Sequence, residues 1–261
     1  MLHSTSVRVR FLGTGTSHGV PMIGCDCAVC RSTDTRDNRS RPSIVVETDD
    51  GMSVLVDTTP DLRTQALRYD VRRIDAILFT HAHADHLMGL DEVRRYNWLA
   101  RQPMPVFGDA ATLREVRRTF AYIFASDAPA GGGVPDVRLF PIAGEFCLGR
   151  QTIQPIPIRH GHWNILGFRF GRFAYLTDCN GIPDSSMALL QGLDCLVLDA
   201  LRRRPHPTHF TIDEAVQMAT RIGAGRTYFT HIAHDLPHAE TCAGLPAGMA
   251  LAHDGLLVEV A

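Results

Sequence analysis

Short apolar runs alternate with helical patterns along most of the chain. Residues 7–12 alternate apolar and polar side chains, as expected for a half-buried strand. Residues 43–47 and 53–57 predict a hairpin around Asp50 and Gly51, because this pair favours a tight turn. Residues 74–79 form a β-branched run that ends just before His81. Further strands are predicted between residues 137 and 176, and at 195–198, 227–230 and 256–260.

Helices are predicted between several of these strands. Pro60 favours a helix start and opens one that extends to about residue 69, and residues 113–124 show a second helical pattern. Thr211 and Glu214 have the spacing of a capping box for a helix that runs to residue 222. The order of elements indicates an α/β protein, and the absence of repeats or long linkers indicates one domain over residues 1–261.

Composition narrows the class of protein. The 261 residues are 45% apolar and 21% charged, which excludes disordered, collagenous and coiled-coil proteins. The net charge of −2 does not indicate binding to nucleic acid or to an anionic membrane. No apolar run approaches 18 residues, and the first 15 residues lack the apolar core of a signal peptide. We therefore expect a soluble cytoplasmic protein.

One segment concentrates metal-binding side chains. His81, His83, Asp85 and His86 fall within six residues, directly after a predicted strand. A loop there can direct the first two toward one ion and the last two toward another. Imidazoles and a carboxylate suit Zn²⁺, and Mn²⁺ also accepts them. The alternative is a histidine-rich surface loop, or histidines that are hydrogen-bonded within the core.

The H-x-H-x-D-H pattern resembles the metallo-β-lactamase superfamily. The resemblance implies a four-layer αββα sandwich with two divalent metal ions, Zn²⁺ or Mn²⁺, at one edge of its sheets. It also implies three later ligands, each close to the end of a predicted strand: His160, Asp178 and His231. His162 competes with His160, which is preferred because it directly follows its strand.

The resemblance further implies how these residues divide between two sites. Site 1 would contain His81, His83, His160 and a bridging Asp178. Site 2 would contain Asp85, His86, His231 and the same Asp178. Asp85 is counted among the catalytic residues as well as among the ligands, whereas Asp57 is expected to orient a ligand rather than to bind metal.

A second candidate metal site involves cysteines. Three of the seven cysteines fall within six residues: Cys25, Cys27 and Cys30. An odd cysteine count without a secretory signal argues against a disulfide framework. Three thiolates are one ligand short of a tetrahedral structural Zn²⁺ site. His234 is the preferred fourth ligand, with His18 and His238 as weaker candidates. Reduced loop thiols are the alternative.

A narrower resemblance covers nearly the whole chain, from Gly13 to Gly255. Residues 13–21, 24–30 and 230–234 are similar to the phosphodiesterase family of the carbon–phosphorus lyase pathway. That family opens the cyclic phosphate of phosphoribosyl 1,2-cyclic phosphate, and it uses the histidine corresponding to His234 for structural zinc. The family of quinone-cofactor biosynthesis protein B shares the cysteine loop but departs from the complete H-x-H-x-D-H set.

His209 is the candidate general acid. It aligns with the residue that the phosphodiesterase family uses to protonate the leaving oxygen, and it resembles the His-x-Thr element of tRNA 3′-processing nucleases. Imidazole titrates near neutral pH, which suits this role. The alternative is that His209 caps the next helix or is solvated. His206 is a candidate for substrate binding, and the arginines at 202–204 could bind phosphate or form a solvated loop face.

These features predict a metal-dependent phosphodiesterase that hydrolyses a small, cyclic sugar- or nucleotide-phosphate diester. Two ions about 3.5–4 Å apart would share the hydroxide that attacks phosphorus. The alternatives are a tRNA 3′-end endonuclease, a thioester or lactam hydrolase, and a non-enzymatic metal carrier or sensor. A tRNA nuclease needs a protruding arm, for which the Gly-rich segment 130–133 is too short. The expected partner is a small phosphorylated substrate, without membrane or nucleic acid, and the family resemblance implies a homodimer.

Overall fold

The computed structural model describes residues 6–125 and 133–261. Fourteen strands lie within these residues: β1 (Val7–Gly13), β2 (Ser43–Thr48), β3 (Ser53–Val56), β4 (Ala76–Leu78), β5 (Met104–Gly108), β6 (Val137–Pro141), β7 (Phe146–Leu148), β8 (Gln151–His160), β9 (Trp163–Phe170), β10 (Phe173–Leu176), β11 (Cys195–Asp199), β12 (Arg226–Thr230), β13 (Met249–Leu251) and β14 (Leu257–Val260). The α-helices within them are α1 (Leu62–Arg68), α2 (Ala84–Leu87), α3 (Arg94–Ala100), α4 (Ala110–Thr119), α5 (Asp184–Met187), α6 (Ile212–Ile222) and α7 (His238–Gly244).

The strands form two seven-stranded mixed sheets. The first has the order β14-β1-β2-β3-β4-β5-β6, and the second has the order β13-β12-β11-β10-β9-β8-β7. In the first sheet β3, β4, β5 and β6 are parallel, and in the second β10, β11, β12 and β13 are parallel. Each sheet therefore joins a parallel half to an antiparallel half.

Three apolar clusters define four layers. The central cluster joins the inner faces of both sheets, with Phe11 and Val56 from one sheet against Phe168 and Tyr175 from the other. A second cluster packs the outer face of the second sheet against α6 and α5. The third packs the outer face of the first sheet against α1, α3 and α4. This arrangement confirms the predicted αββα sandwich.

The structure reproduces most predicted elements and shifts others. The 43–57 hairpin forms between β2 and β3, and Thr211 and Glu214 make the reciprocal capping box that starts α6. The helix predicted at 113–124 begins earlier, because the Asp109 side chain accepts a hydrogen bond from the Thr112 amide and caps α4. It ends at Thr119 and is followed by a 3₁₀ turn, Ala121–Ile123.

Two further sequence predictions concern the Gly-rich segment and membrane-spanning helices. The Gly-rich segment 130–133 lies outside them, except for its last residue. Among the helices that are described, the longest is α6 with 11 residues, and none has the length and apolar character needed to cross a membrane.

Candidate metal centre

The strand ends of both sheets bring the predicted ligands to one edge of the sandwich. Asp57 follows β3, and His81 follows β4, which is parallel to β3. On the second sheet Asp178 follows β10 and His231 follows β12, with parallel β11 between them. His160 ends β8. The carboxyl ends of parallel strands meet at one sheet edge, which explains why residues distant in sequence converge.

Three of these strand-end residues have left-handed backbone conformations. The φ angles are 65° at Asp57, 56° at Asp178 and 61° at His231. Non-glycine residues adopt positive φ rarely, and such positions cluster at functional sites. The chain therefore turns sharply at each strand end while it retains a side chain that can bind a metal ion or orient a ligand.

The predicted ligands form two groups within the described residues. In each group the ligand atoms all lie within 4.8 Å of one another. The first group contains His81, His83, His160 and Asp178, and the second contains Asp85, His86, Asp178 and His231. Asp178 belongs to both, which is the position predicted for a bridging carboxylate. His162 is exposed and belongs to neither.

The spacing of these atoms suits tetrahedral coordination. His86 Nε2 lies 3.2 Å from Asp178 Oδ1 and 3.4 Å from Asp85 Oδ2. His231 Nε2 lies 3.1 Å from Asp178 Oδ2 and 3.6 Å from Asp85 Oδ2. Ligands about 2.0–2.1 Å from a Zn²⁺ ion at tetrahedral angles are roughly 3.3–3.4 Å apart. The second group therefore has the dimensions of a metal site.

Buried polar atoms without hydrogen-bond partners also indicate a cation-binding site. Asp85 Oδ2, His86 Nε2 and His231 Nε2 are buried and have no hydrogen-bond partner among the described residues. Buried polar atoms are normally satisfied, so convergent orphaned atoms indicate a ligand. Burial opposes charge on His231, but the neighbouring Asp178 and Asp85 carboxylates raise its pKa to about 10. The carboxylates thus favour positive charge here, and a divalent cation bound to neutral His231 would supply that charge in place of the proton.

The first group favours neutral imidazoles. Burial lowers the pKa of His81 well below its usual value, and it lowers the pKa of His160 to about 4. Burial likewise lowers the pKa of His83. A histidine must be neutral to offer a ring nitrogen to a metal ion. These side chains are therefore held in the form that binds metal at neutral pH.

A layer of hydrogen bonds orients the ligands. His86 Nδ1 lies 2.7 Å from Asp57 Oδ2, which also accepts a hydrogen bond from the Thr80 hydroxyl. His160 Nδ1 lies 3.0 Å from the Thr208 carbonyl oxygen. Each contact occupies Nδ1 and leaves Nε2 free to face the cluster. Asp57 is buried beneath the site, as predicted for an orienting group rather than a ligand.

His209 lies beside both metal-binding groups. It is 8% exposed, and its ring stacks on His231 with centroids 4.6 Å apart and approaches His160 at 4.8 Å. Its Nδ1 lies 3.1 Å from Asp199 Oδ1. Since Nδ1 is engaged, Nε2 remains as the atom that can exchange a proton with a bound molecule. The alternative of a solvated His209 does not agree with this burial.

Sequence reasoning missed two residues of the site. Asp199 accepts hydrogen bonds from the backbone amides of Asp178 and Phe210, in addition to its contact with His209. It therefore ties the bridging ligand to the candidate acid. Trp163 is 48% exposed, with its ring centroid 4.9 Å from that of His83. The position of Asp199 at a strand end was visible in the sequence, but no local signal marked Trp163.

The cysteine loop and His234 form a separate cluster. The distances from His234 Nδ1 to the three sulfur atoms are 3.2 Å for Cys25, 3.5 Å for Cys27 and 3.5 Å for Cys30. Zn–S and Zn–N bonds of about 2.3 and 2.05 Å at a tetrahedral angle predict roughly 3.5 Å. A backbone hydrogen bond from Cys30 lowers the pKa of Cys27 to about 7, whereas burial raises the pKa of Cys30 to about 11, so the case for zinc depends on the spacing of the four ligand atoms. The donor set therefore fits a structural zinc ion.

The other two histidines considered for this cluster lie elsewhere. His18 is exposed and outside the Cys3His group. His238 is buried and has its Nε2 3.6 Å from the sulfur of Cys242. Of the three candidates named from the sequence, the structure brings His234 to the cysteines.

Comparisons with known proteins agree with this site. A family model described as the beta-lactamase superfamily domain matches residues 53–232, which include both His/Asp groups. A new diphosphatase from the PhnP family, whose crystal structure is known, is 48% identical in sequence to this chain. It superposes with a TM-score of 0.91, covering 98% of this chain and 97% of the other.

Two further relatives extend the comparison. An octanoyltransferase from Porphyromonas gingivalis is 36% identical over 254 residues, but the chain spans only about half of that protein, 51% of its length. Zn²⁺-bound PqqB from Methylobacterium extorquens is 21% identical, with a TM-score of 0.79, and the match covers 97% of this chain and all of the other. At that identity the likeness concerns the fold alone.

Proposed function

Because the chain belongs to the metallo-β-lactamase superfamily, and within it to the PhnP family, we propose that this metal-dependent hydrolase is a phosphodiesterase acting on small sugar- or nucleotide-phosphate substrates. The observation that carries the proposal is the pair of His/Asp groups that share Asp178, with His209 directly beside them. Diesters of phosphoric acid need a nucleophile, charge stabilisation and a proton for the leaving group. The His and Asp side chains would hold cations that meet the first two requirements, and His209 would supply the proton.

The ligand assignments are part of the proposal. His81, His83 and His160 would hold one divalent cation, and Asp85, His86 and His231 the other, with Asp178 bridging. Two such cations would supply Lewis acidity toward the phosphoryl oxygens and lower the pKa of water toward neutrality. Zn²⁺ and Mn²⁺ both accept this donor set. Asp85 would take part in catalysis as a ligand of one of these cations.

His209 would act as the general acid. Asp199 holds Nδ1, so Nε2 would carry the proton to the oxygen that leaves phosphorus. The burial of His209 excludes bulk water from that proton transfer. His206, with its ring centroid 5.0 Å from that of His209, would contact the departing group. A strongly basic alkoxide, which is a poor leaving group, gains most from such a proton.

The cysteine cluster would bind a structural zinc ion rather than a catalytic one. All four ligand positions are protein side chains, which leaves no open position for a substrate. His234 lies three residues after His231, so the zinc would fix the segment that carries the candidate active-site ligand. Its expected effect is on stability and on the position of His231.

The experiment that tests the proposal compares two neighbouring histidines. We expect the protein purified with Zn²⁺ or Mn²⁺ to hydrolyse bis(p-nitrophenyl) phosphate. His160→Ala should lose metal from the active site and most activity. His162→Ala should retain both, because its side chain is exposed and outside the metal-binding groups. Elemental analysis of each variant separates metal loss from a loss of turnover with metal still bound.

A thioester and a lactam serve as the contrasting substrates. Turnover of either one, without turnover of bis(p-nitrophenyl) phosphate or a cyclic nucleotide, would overturn the phosphodiesterase proposal. Equal effects of His160→Ala and His162→Ala on metal content would overturn the ligand assignment. Unchanged metal content in His160→Ala would do the same.

A further inference from the structure

Buried threonines occupy equivalent positions at three of the strand ends that carry proposed ligands. Each is at most 1% exposed and directly precedes a ligand in the chain. The pairs are Thr80 and His81, Thr177 and Asp178, and Thr230 and His231. Because position and burial are shared, the hydrogen bond that each hydroxyl group makes determines what it does for the neighbouring ligand.

The hydroxyl group of Thr177 contacts the proposed bridging ligand itself. Thr177 Oγ1 donates a hydrogen bond to Asp178 Oδ1 at 2.7 Å. Hydrogen bonds to an ionised carboxylate are shorter and stronger than those between neutral groups. The Thr80 hydroxyl donates instead to Asp57, and the Thr230 hydroxyl has no hydrogen-bond partner among the described residues. Thr177 is thus the member of the three that holds a ligand carboxylate directly.

The two oxygens of the Asp178 carboxylate have different surroundings. Oδ1 accepts the hydrogen bond from Thr177 and lies 3.2 Å from His86 Nε2. Oδ2 lies 3.1 Å from His231 Nε2, which belongs to the second His/Asp group. It also lies 3.9 Å from His81 Nε2, which belongs to the first group. Oδ2 is therefore the oxygen that faces a histidine of each group.

Nothing intrinsic to aspartate fixes which oxygen faces both groups. The terminal χ2 torsion of aspartate is broad and roughly two-fold, so a carboxylate rotates with little preference. Asp199 accepts a hydrogen bond from the Asp178 amide at 3.0 Å, but that contact holds the main chain rather than the carboxylate. The Thr177 hydroxyl holds the carboxylate, and χ1 of Thr177 is itself restricted because the side chain is β-branched.

We propose that Thr177 is a positioning residue for the metal centre: its hydroxyl group fixes the rotation of the Asp178 carboxylate so that Oδ2 is shared between the two cations. The inference rests on the proposed function, since it needs the ligand assignments given there. Thr177 contacts neither a cation nor a substrate and acts through Asp178. Without its hydroxyl group, the carboxylate can rotate out of the bridging position.

Thr177→Val and Thr230→Val form a matched pair of variants. Each replaces a buried threonine beside a proposed ligand by an apolar residue of nearly the same shape, but only the first removes a hydrogen bond between described residues. We expect Thr177→Val to raise the Kd for Mn²⁺ at the His/Asp groups by about 10–100-fold, the usual cost of losing a group that orients a ligand. Thr230→Val should leave this Kd unchanged. Competition with a chelator measures the Kd, and elemental analysis measures the bound metal.

Electron paramagnetic resonance of bound Mn²⁺ gives a readout that a loss of stability alone would not change. Carboxylate ligands suit Mn²⁺, whereas thiolates select zinc, so the Mn²⁺ signal reports on the His/Asp groups rather than on the cysteine cluster. Two ions that share a carboxylate oxygen are magnetically coupled. At Mn²⁺ concentrations that fill both sites, we expect weaker coupling in Thr177→Val than in the wild type. Thr177→Ser keeps the hydroxyl group and should restore both the coupling and the affinity.

The outcomes separate this inference from the function on which it rests. Wild-type affinity and coupling in Thr177→Val would overturn the positioning role, and so would equal losses in Thr177→Val and Thr230→Val or a failure of Thr177→Ser to restore them. If Thr177→Val does not fold, Thr177→Ala removes the same donor and carries the same test.

The proposed function can fail separately. If the protein binds two Mn²⁺ ions with the expected dependence on Thr177 but cleaves no phosphodiester, the phosphodiesterase proposal fails and the positioning role stands. If the wild-type protein binds no Mn²⁺ at the His/Asp groups, the ligand assignment and the positioning role fail together.

Discussion

Arg39 tests how the N-terminal loop is held against the C-terminal segment that carries the proposed metal ligands His231 and His234. Its side chain is 1% exposed, and it donates to the carbonyl oxygens of Ala233 and Leu236 at 2.9 and 2.7 Å. It also contacts the buried carboxylate of Asp37 at 2.8 Å. Arg39→Met keeps an apolar stem of similar length but removes every donor. Two buried carbonyl groups and the Asp37 carboxylate then lose a donor, as does the part-buried Arg36 carbonyl, which accepts from Arg39 Nε at 3.3 Å.

The magnitude follows from those contacts. Each buried acceptor left without a donor costs about 1–3 kcal/mol, and removal of one partner from a buried ion pair costs about 3–5 kcal/mol. Asp37 retains a hydrogen bond from the His238 amide, which argues against the upper end of a simple sum. We expect the free energy of unfolding to fall by about 5 kcal/mol, the lower end of that sum, which lowers Tm by roughly 10–20 °C in a protein of this size.

Urea and thermal unfolding at a fixed, saturating zinc concentration measure the effect, because bound zinc itself shifts the stability. Arg36→Met is the matched control. Arg36 pairs with Asp34 at 2.7 Å, but its side chain is 45% exposed, so its loss should cost less than about 1 kcal/mol. A loss below about 1 kcal/mol in Arg39→Met, or equal losses in the two variants, would refute this account.

Three more predictions concern the candidate acid, the zinc cluster and one close backbone approach. His209→Ala should lower kcat by about 10²–10⁴-fold for a substrate with an alkoxide leaving group and much less for a p-nitrophenolate ester, with metal content unchanged; equal deficits on both would contradict a role in protonation. Cys27→Ala should remove one equivalent of zinc and lower Tm, whereas the exposed Cys147→Ala should do neither, as elemental analysis and thermal unfolding will show. Gly89→Ala should lower Tm by overpacking worth about 1–3 kcal/mol, since its Cβ would lie 1.9 Å from a backbone carbonyl oxygen, whereas Gly144→Ala meets nothing within 4 Å and should be neutral.

The choice between His160 and His162 shows what the two-residue period of a strand can predict about the site. Ile156, Ile158 and His160 alternate along β8 and are buried. The two residues between them, Pro157 and Arg159, are exposed. The side chain of His160 therefore continues the inward face of the strand. His162 falls in the two-residue turn before β9 and is exposed. A strand period of two residues thus supports the ligand that the family resemblance favoured.

Other parts of the site depend on tertiary contacts that no local pattern encodes. Asp199 receives its partners from the turn after β10 and from the residues before α6. Its sequence neighbourhood predicts only the end of a buried strand. The choice of His234 over His18 and His238 similarly depends on where the cysteine loop meets the segment after β12. Spacing restricted the candidates, and the fold selected among them.

The sequence predicted the overall fold correctly but did not predict one central strand of the first sheet. Short apolar runs predicted most strands of both sheets, but β5, between β4 and β6, was not predicted. Its five residues include Pro105 and end at Gly108, and both residue types are depleted in strands. Pairing with two parallel neighbours overrides that weak propensity, since burial in a sheet stabilises the segment more than its composition disfavours it.

At the left-handed strand ends, the backbone conformation favours glycine, whereas the proposed chemistry needs a side chain. Glycine would adopt positive φ at these positions without steric cost, whereas other residues lose about 1–2 kcal/mol. Asp57, Asp178 and His231 have this conformation, and a glycine at these positions would have no side chain for the roles that we propose for them. The stabilisation must come from elsewhere: the Asp57 carboxylate accepts two hydrogen bonds from Thr80, and Asp199 holds the Asp178 amide. The residues that local rules disfavour are thus the ones that the surrounding hydrogen bonds fix in place.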